Sequence, residues 1–137
     1  MRYLGVDVGG RRVGLAVGDD ATGVVIPLEV VPYGGVHGAA AMVADAARRH
    51  GAQRVVIGLP TRADGSDTPA CRRSRALADA LAGLGLEAAL QAEFLTTDEA
   101  RRRARDAGLP AGRPVDHLAA QVILEEHLRS GGRRGRG

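Results

Sequence analysis

The first eighteen residues constrain the fold of this chain more than any other stretch. They comprise an apolar run that reaches Asp7, a break at Gly9-Gly10, and a second apolar run from Val13 to Val17. Two short apolar runs separated by a glycine pair predict a strand, a tight turn and an antiparallel return strand. We therefore predict that the chain opens with a β-hairpin.

Asp7 is the unusual residue of this hairpin. Strand alternation puts it on the same face as Tyr3 and Gly5. An ionised carboxylate in an apolar strand is costly unless a positive group faces it. The return strand has small residues at alternate positions, which leave room for a ligand: Gly14, Ala16 and Gly18. We predict that Asp7 holds a metal ion; the alternative is an ion pair with Arg11 or Arg12 in the turn.

Size and composition narrow the class of protein. A chain of 137 residues is long enough for one sheet-centred domain. No apolar run approaches the ~20 residues of a membrane span and no signal peptide precedes the first strand, so we expect no membrane partner. A single cysteine, Cys71, excludes an internal disulfide framework and suits a reducing compartment, so we expect a cytoplasmic location.

The basic residues point to the partner. The formal net charge is +3, and all 19 basic side chains are Arg. The guanidinium group suits bidentate contact with phosphate and stays charged near neutral pH. Arginine pairs scattered along a basic domain therefore favour a polyanionic partner such as nucleic acid.

The rest of the chain predicts alternating strands and helices. A third strand is predicted over residues 23–31, where Pro27 indicates a sheet edge. The later elements are predicted as a helix over 36–50, a strand over 54–58, a helix from Thr68-Pro69, a strand over 86–92, a helix from Thr96 and a helix over 115–129. We predict a domain over residues 1–130, followed by a flexible basic tail over 131–137.

Connection rules turn this order into an architecture. Right-handed crossovers make the strands at Leu4, Val55 and Leu90 parallel, with their carboxyl ends at one edge of the sheet. The predicted fold class is α/β, with a five-stranded mixed sheet that joins a three-strand antiparallel meander to parallel strands and is flanked by helices. Ligands bind at the carboxyl edge of such sheets. Asp7, the loop over 59–68 and Glu93 all emerge there.

A third carboxylate, Asp116, opens the final helix. Helical spacing stacks it with Ala119, Ala120 and Ile123, which is a close-packing face. An acidic residue in the first turn also stabilises any helix through the macrodipole, so a purely structural role stays open at this point.

Four ordered segments resemble the motifs of the YqgF family. They are Asp7-Val-Gly-Gly-Arg-Arg-Val-Gly-Leu-Ala-Val17, Val56-Ile-Gly-Leu-Pro60 with Asp64-Gly65-Ser66, Glu93-Phe-Leu-Thr-Thr-Asp-Glu-Ala100, and Asp116-His-Leu-Ala-Ala-Gln-Val-Ile-Leu124. The resemblance covers the whole chain except the tail. It implies a ribonuclease-H-like fold and a pre-16S rRNA nuclease or Holliday-junction-resolvase-like enzyme. It also implies a catalytic site at Asp7, Glu93 and Asp116.

The chain departs from the family's pattern beside one of these acids. The family usually has Asp-Glu-Arg where this chain has Ala92-Glu93-Phe94. The Glu is kept, while an acidic and a basic neighbour are both replaced. This departure alters the charge balance around the predicted site.

The resemblance and the chemistry of carboxylates together predict a mechanism. Three converging carboxylates repel one another unless cations compensate them, and hard cations choose oxygen ligands. Mg²⁺ or Mn²⁺, with two ions expected, would be held by Asp7, Glu93 and Asp116 and would support in-line attack of water on a phosphodiester. We predict that Arg11 and Arg12 hold a phosphate and that Arg62 contacts the substrate backbone. A solvated turn and a mobile polar loop are the respective alternatives.

Three functions remain as hypotheses. The first is a metal-dependent nuclease acting on structured RNA, with processing of the pre-16S rRNA 5′ end implied by resemblance. The second is the same chemistry on branched DNA, which a two-fold dimer would favour, although the sequence leaves monomer and homodimer open. The third is a catalytically weak nucleic-acid-binding regulator, suggested by Ala92 and Phe94.

Overall fold

The computed structural model describes residues 1–61, 66, 68–92 and 116–134. In chain order these residues form β1 (Arg2–Val8), β2 (Arg12–Asp19), β3 (Val25–Pro32), α1 (Val36–Arg49), β4 (Arg54–Leu59), α2 (Pro69–Gly83), β5 (Ala88–Ala92) and α3 (Asp116–Arg134). Arg62, Glu93 and the helix predicted from Thr96 lie outside the described residues. No described helix has both the length and the apolar character needed to span a bilayer.

The five strands form one mixed sheet in the order β3-β2-β1-β4-β5. β1 pairs antiparallel with β2, and β2 pairs antiparallel with β3. β1 pairs parallel with β4, and β4 pairs parallel with β5. The predicted meander joined to parallel strands is therefore confirmed.

β3 forms one edge of the sheet, as Pro27 predicted. Its pairing with β2 shifts register between Gly14 and Ala16, which marks an irregularity in the ladder. Glu29 of β3 accepts a hydrogen bond from Arg49 of α1, with 3.3 Å between Oε1 and Nη2. The edge strand is thereby tied to the helix that covers the sheet.

One face of the sheet carries the larger part of the described core. Side chains of β1 on this face, including Leu4 and Val6, are fully buried. They pack with small residues of α1 and with Leu77 and Leu81 of α2. Alanines on one side of α1 let that helix lie close to the strands, as its spacing predicted. Gly51, with a φ of 66°, allows the chain to leave α1 in the left-handed conformation.

The opposite face is covered by α3. A Cβ added to Gly5 of β1 would lie 2.9 Å from the Ala120 carbonyl oxygen and 2.9 Å from the Leu124 Cβ. A Cβ on Gly18 of β2 would lie 3.0 Å from Leu124 Cδ2 and 3.3 Å from Leu128 Cδ1. Only glycine fits so close to a helix at these positions.

Two expectations about this face and its helix need correction. The space at Gly18, predicted to receive a ligand, is filled by Leu124 and Leu128. The final helix continues to Arg134 and does not end near Arg129, so residues 131–134 of the predicted tail are helical. Residues 135–137 lie outside the described part.

Candidate active site

Asp7 is the penultimate residue of β1 and is partly buried. Its cross-strand partner on β2 is Gly14, and the two residues lie on the face that α3 covers. Glycine contributes no side chain, so β2 places only backbone directly opposite the carboxylate. The sequence prediction of space for a ligand fails at Gly18 and stays a prediction beside Asp7.

The parallel strands bring a second part of the chain to the same edge. β1 pairs in register with β4, where Val6 faces Ile57, and β5 ends with Ala92 beside Leu59 of β4. The carboxyl ends of the three strands therefore lie along one edge of the sheet. The residue after Ala92 is Glu93, so the described backbone reaches this edge one residue before that carboxylate.

The direction of α3 brings a third part of the chain towards this edge. Leu128 lies near Gly18, which pairs with Tyr3 at the start of β1, whereas Ala120 lies near Gly5. The helix therefore runs opposite to β1. Going back from Ala120 to Asp116 covers about 6 Å along the helix, and going on from Gly5 to Asp7 covers about 6.6 Å along the strand. The backbone of α3 thus begins near the end of β1 that bears Asp7.

The buried face of α3 agrees with its predicted packing. Ala120 and Ile123 are fully buried, as the helical spacing from Asp116 predicted, whereas Ala119 is only partly buried. Within the described part of the chain, no three acidic, histidine or cysteine side chains surround a common point. The predicted metal ligands Glu93 and Asp116 are not among these side chains, because the structure does not describe them.

The turn between β1 and β2 is held by backbone hydrogen bonds. The Gly9 amide donates to the Arg12 carbonyl at 2.8 Å, and the Tyr33 amide donates to the Arg11 carbonyl at 2.9 Å. A Cβ on Gly9 would lie 2.9 Å from the Arg12 carbonyl oxygen, so steric closeness is what requires glycine there. Arg11 and Arg12 are exposed, and they leave this fixed turn at the same edge of the sheet as Asp7.

α2 fixes the chain where it leaves β4. The Ser74 hydroxyl donates to the Gly58 carbonyl at 2.8 Å, and the Thr68 hydroxyl donates to the Pro60 carbonyl at 2.9 Å. The buried Cys71 thiol also reaches the Pro60 carbonyl, at 3.5 Å. Side chains from the start of the helix thereby satisfy the carbonyls of the segment that leads to the predicted substrate contact Arg62.

Ser74 provides a test of this arrangement. The side chain is fully buried. Replacing Ser74 with Ala leaves the buried Gly58 carbonyl without its hydroxyl donor, so we expect the free energy of unfolding to fall by about 1–3 kcal/mol. Urea denaturation followed by circular dichroism measures this loss.

Ser130→Ala is the matched control for the Ser74 variant. The Ser130 hydroxyl donates to the Glu126 carbonyl within α3 at 2.9 Å, at an exposed position. Water can replace this donor, so we expect the free energy of unfolding to change by less than about 0.5 kcal/mol. An equal effect at both positions would contradict the buried role of Ser74.

Three polar atoms are buried without a hydrogen-bond partner in the described chain. They are Thr61 Oγ1, Arg73 Nε and His117 Nδ1. Arg73 differs here from the other two arginines of α2, although the helical spacing of the sequence predicts that all three point outward. Arg72 and Arg75 are exposed, whereas Arg73 is partly buried. Its position four residues before the buried Leu77 is the signal that could have revealed this.

Comparison with known proteins identifies the family. A family model described as RuvX, Holliday junction resolvase, matches residues 1–130. The chain belongs to this family. A relative from Anaeromyxobacter sp. (strain Fw109-5), named "Putative pre-16S rRNA nuclease", is 41% identical over 93% of this chain and 96% of its own length. A relative of the same name from Pelotomaculum thermopropionicum is 35% identical over 97% of this chain and 90% of its own length.

Solved structures with the same fold include Thermus thermophilus RuvC. It aligns with a TM-score of 0.58 at 20% identity over 96% of this chain and 97% of RuvC. The fowlpox virus resolvase, solved with Holliday junction DNA, aligns with a TM-score of 0.54 at 9% identity over 93% of this chain and 99% of the resolvase. At these identities the likeness concerns the fold. The predicted membership of the YqgF family, which the RuvX model describes, and the predicted ribonuclease-H-like fold are confirmed.

Proposed function

We propose that this chain is a divalent-metal-dependent nuclease that hydrolyses phosphodiester bonds of structured nucleic acid, with the 5′ end of pre-16S rRNA as its substrate. The observation that carries the proposal is the meeting of three chain segments at one sheet edge. β1 carries Asp7 one residue before its end there, β5 ends there immediately before Glu93, and α3 begins at Asp116 towards the same end of β1. The course of the described backbone supports the assignment of these three acids, which are far apart in sequence, to one site.

The chemistry of these residues fits Mg²⁺ or Mn²⁺. All three proposed ligands are carboxylates, and hard cations select oxygen. Asp7 is partly buried, and Gly14 across the strand contributes no side chain. Two bound cations would supply activation of water and stabilisation of the charge that develops on the leaving oxygen. Asp7, Glu93 and Asp116 would hold them.

The arginines at this edge would bind the substrate backbone. Arg11 and Arg12 project from a turn whose backbone is already fixed by hydrogen bonds, so less conformational entropy is lost on binding than from a free loop. Each guanidinium presents paired N–H donors that match a phosphate. We assign them to phosphates at and beside the bond that is cleaved, and Arg62 to the substrate backbone. The free, buried Cys71 is compatible with a cytoplasmic location, where thiols stay reduced.

Structured RNA and branched DNA are the two substrate candidates. The names of relatives that cover more than nine tenths of this chain favour RNA. The description of the family, and the junction DNA bound to the fowlpox virus resolvase, favour branched DNA as the alternative. We place RNA first because those relatives are far closer in sequence than the solved resolvases.

One cleavage assay tests both parts of the proposal. The purified chain is incubated with a precursor rRNA fragment and with a four-way DNA junction, in Mg²⁺, Mn²⁺ or EDTA. We expect RNA cleavage with either metal, no cleavage in EDTA, and full recovery when the metal is returned. Cleavage that persists in EDTA would contradict metal dependence. Cleavage of the junction alone would assign the chain to branched DNA, and tight binding without cleavage would favour the regulator hypothesis.

A further inference from the structure

We propose that Arg73 and the Gly9-Gly10 turn form a second phosphate-binding position, which takes a phosphate flanking the one at the carboxylates. This assignment rests on the proposed function, because it supposes that a nucleic acid strand crosses this edge of the sheet. It adds a contact from α2, a helix to which none of the predicted substrate residues belongs.

The position of the side chain carries the proposal. α2 packs on the sheet face opposite α3, yet Arg73 Nη2 lies 4.0 Å from where a Cβ on Gly10 would be. The side chain therefore extends from the helix to the turn that follows β1. Gly10 is exposed and has no side chain to cover the guanidinium.

The hydrogen bonding of Arg73 is incomplete. Its Nε is buried and has no acceptor in the described chain. The ion pairs found among the described residues do not include Arg73. Burying a guanidinium N–H without an acceptor costs free energy, so such groups in native proteins normally have a partner or a function. Nε itself is closed off from solvent, so an anion at the turn would bind the Nη atoms of the same guanidinium, of which Nη2 reaches the turn.

Phosphate is the anion that this geometry fits. Arginine has donors and no acceptor, and its planar fork matches two phosphate oxygens. Asp7 lies on the α3 face and Arg73 arrives from the α2 face, with Gly10 three residues beyond Asp7 in the chain. Three residues span up to about 10 Å. Because Asp7 and Arg73 approach this edge from opposite faces of the sheet, we assign Arg73 to a phosphate beside the one held at the carboxylates.

Binding measurements under conditions that do not depend on cleavage test the assignment. The probes are a synthetic four-way DNA junction and a precursor rRNA fragment, with Ca²⁺ in place of Mg²⁺, titrated by fluorescence anisotropy at salt concentrations from roughly 50 to 200 mM. The variant is Arg73→Met, which keeps the apolar stem of the side chain. The matched control is Arg72→Met on the exposed neighbouring position of α2, which removes the same charge.

We expect Arg73→Met to weaken binding about tenfold and to make the negative slope of log K against log salt shallower by about 0.7–0.9, the amount for one lost phosphate contact. Arg72→Met should leave the slope near that of the wild type. Equal effects of the two variants would mean that only net charge matters. That result would overturn the assignment of Arg73 and leave the proposed function standing. If the wild type bound neither probe, the proposed function and the assignment of Arg73 would both be overturned.

A second measurement locates the phosphate. Single methylphosphonates, which remove one negative charge each, are placed along one strand of the better-bound probe. In the wild type we expect one position to weaken binding strongly, and in Arg73→Met that position should have no further effect. Thermal melting checks that the variant is folded, and Arg73→Gln replaces it if it is not. An undiminished effect of every methylphosphonate in the folded variant would overturn the proposal.

Discussion

Replacing Asp7 with Asn is expected to lower the cleavage rate by at least about a thousandfold, which corresponds to about 4 kcal/mol of transition-state stabilisation. The amide has nearly the same shape as the carboxylate, but it is neutral and is a poorer ligand for a hard cation. Substrate binding should persist, because the arginines of the turn are unchanged. Single-turnover cleavage with saturating Mg²⁺ measures the rate, and anisotropy measures the binding.

Asp79→Asn is the matched control for this variant. Asp79 is exposed on α2, so its replacement removes one negative charge away from the sheet edge. We expect its cleavage rate to stay within about twofold of the wild type, since surface substitutions have small effects. Cleavage by a folded Asp7→Asn variant at a rate close to that of Asp79→Asn would remove Asp7 from the catalytic site.

Replacing Gly5 with Ala is expected to harm both stability and activity. The new methyl would lie 2.9 Å from the backbone oxygen of Ala120, which cannot rotate away as a flexible side chain can. We expect a loss of about 1–3 kcal/mol, the cost of overpacking, and a melting temperature lower by roughly 3–10 °C. α3 would be displaced together with its first residue, Asp116. Displacement of a catalytic group by about 1 Å can cost about a hundredfold in rate.

The same substitution at Gly38 serves as the control. Nothing lies within 4 Å of a Cβ on this residue of α1, and alanine is a better helix former than glycine. Gly38→Ala should therefore raise the free energy of unfolding by about 0.5–1 kcal/mol and leave cleavage unchanged. Differential scanning calorimetry measures the stability of both variants. A Gly5→Ala variant that matches Gly38→Ala in stability and rate would contradict the close packing of α3 on β1.

Much of the architecture follows from local patterns in the sequence. The glycine pair after Asp7 predicts the hairpin, and the apolar run at 54–58 predicts a strand buried on both faces. Pro27 predicts that β3 is an edge strand, because proline cannot complete a central ladder. The approach of Asp7 and of the end of β5, one residue before Glu93, to one edge then follows from the handedness of the crossovers. Local signals are enough to predict these features, because the pattern of apolar residues, glycine and proline within each segment determines which residues of that strand are buried and where the strand ends.

The features that escaped prediction depend on long-range packing. The small residue at Gly18 shows that something approaches the sheet, but periodicity cannot distinguish a helix from a ligand. The inward course of Arg73 depends on the distance between α2 and the β1–β2 turn, which spacing along a helix does not encode. α3 continues through Gly131 although glycine has a low helix propensity. The predicted end of this helix at residue 129 is therefore too early.

The edge strand β3 also has a consequence for self-association. An edge strand invites another chain to extend the sheet by pairing with its free backbone groups. In β3, Pro27 lacks an N–H, the ladder beside it is irregular, and Glu29 is held to Arg49 by an ion pair. These features oppose continuous sheet formation across two copies at this edge. Two copies that meet on one substrate would therefore have to join through another surface.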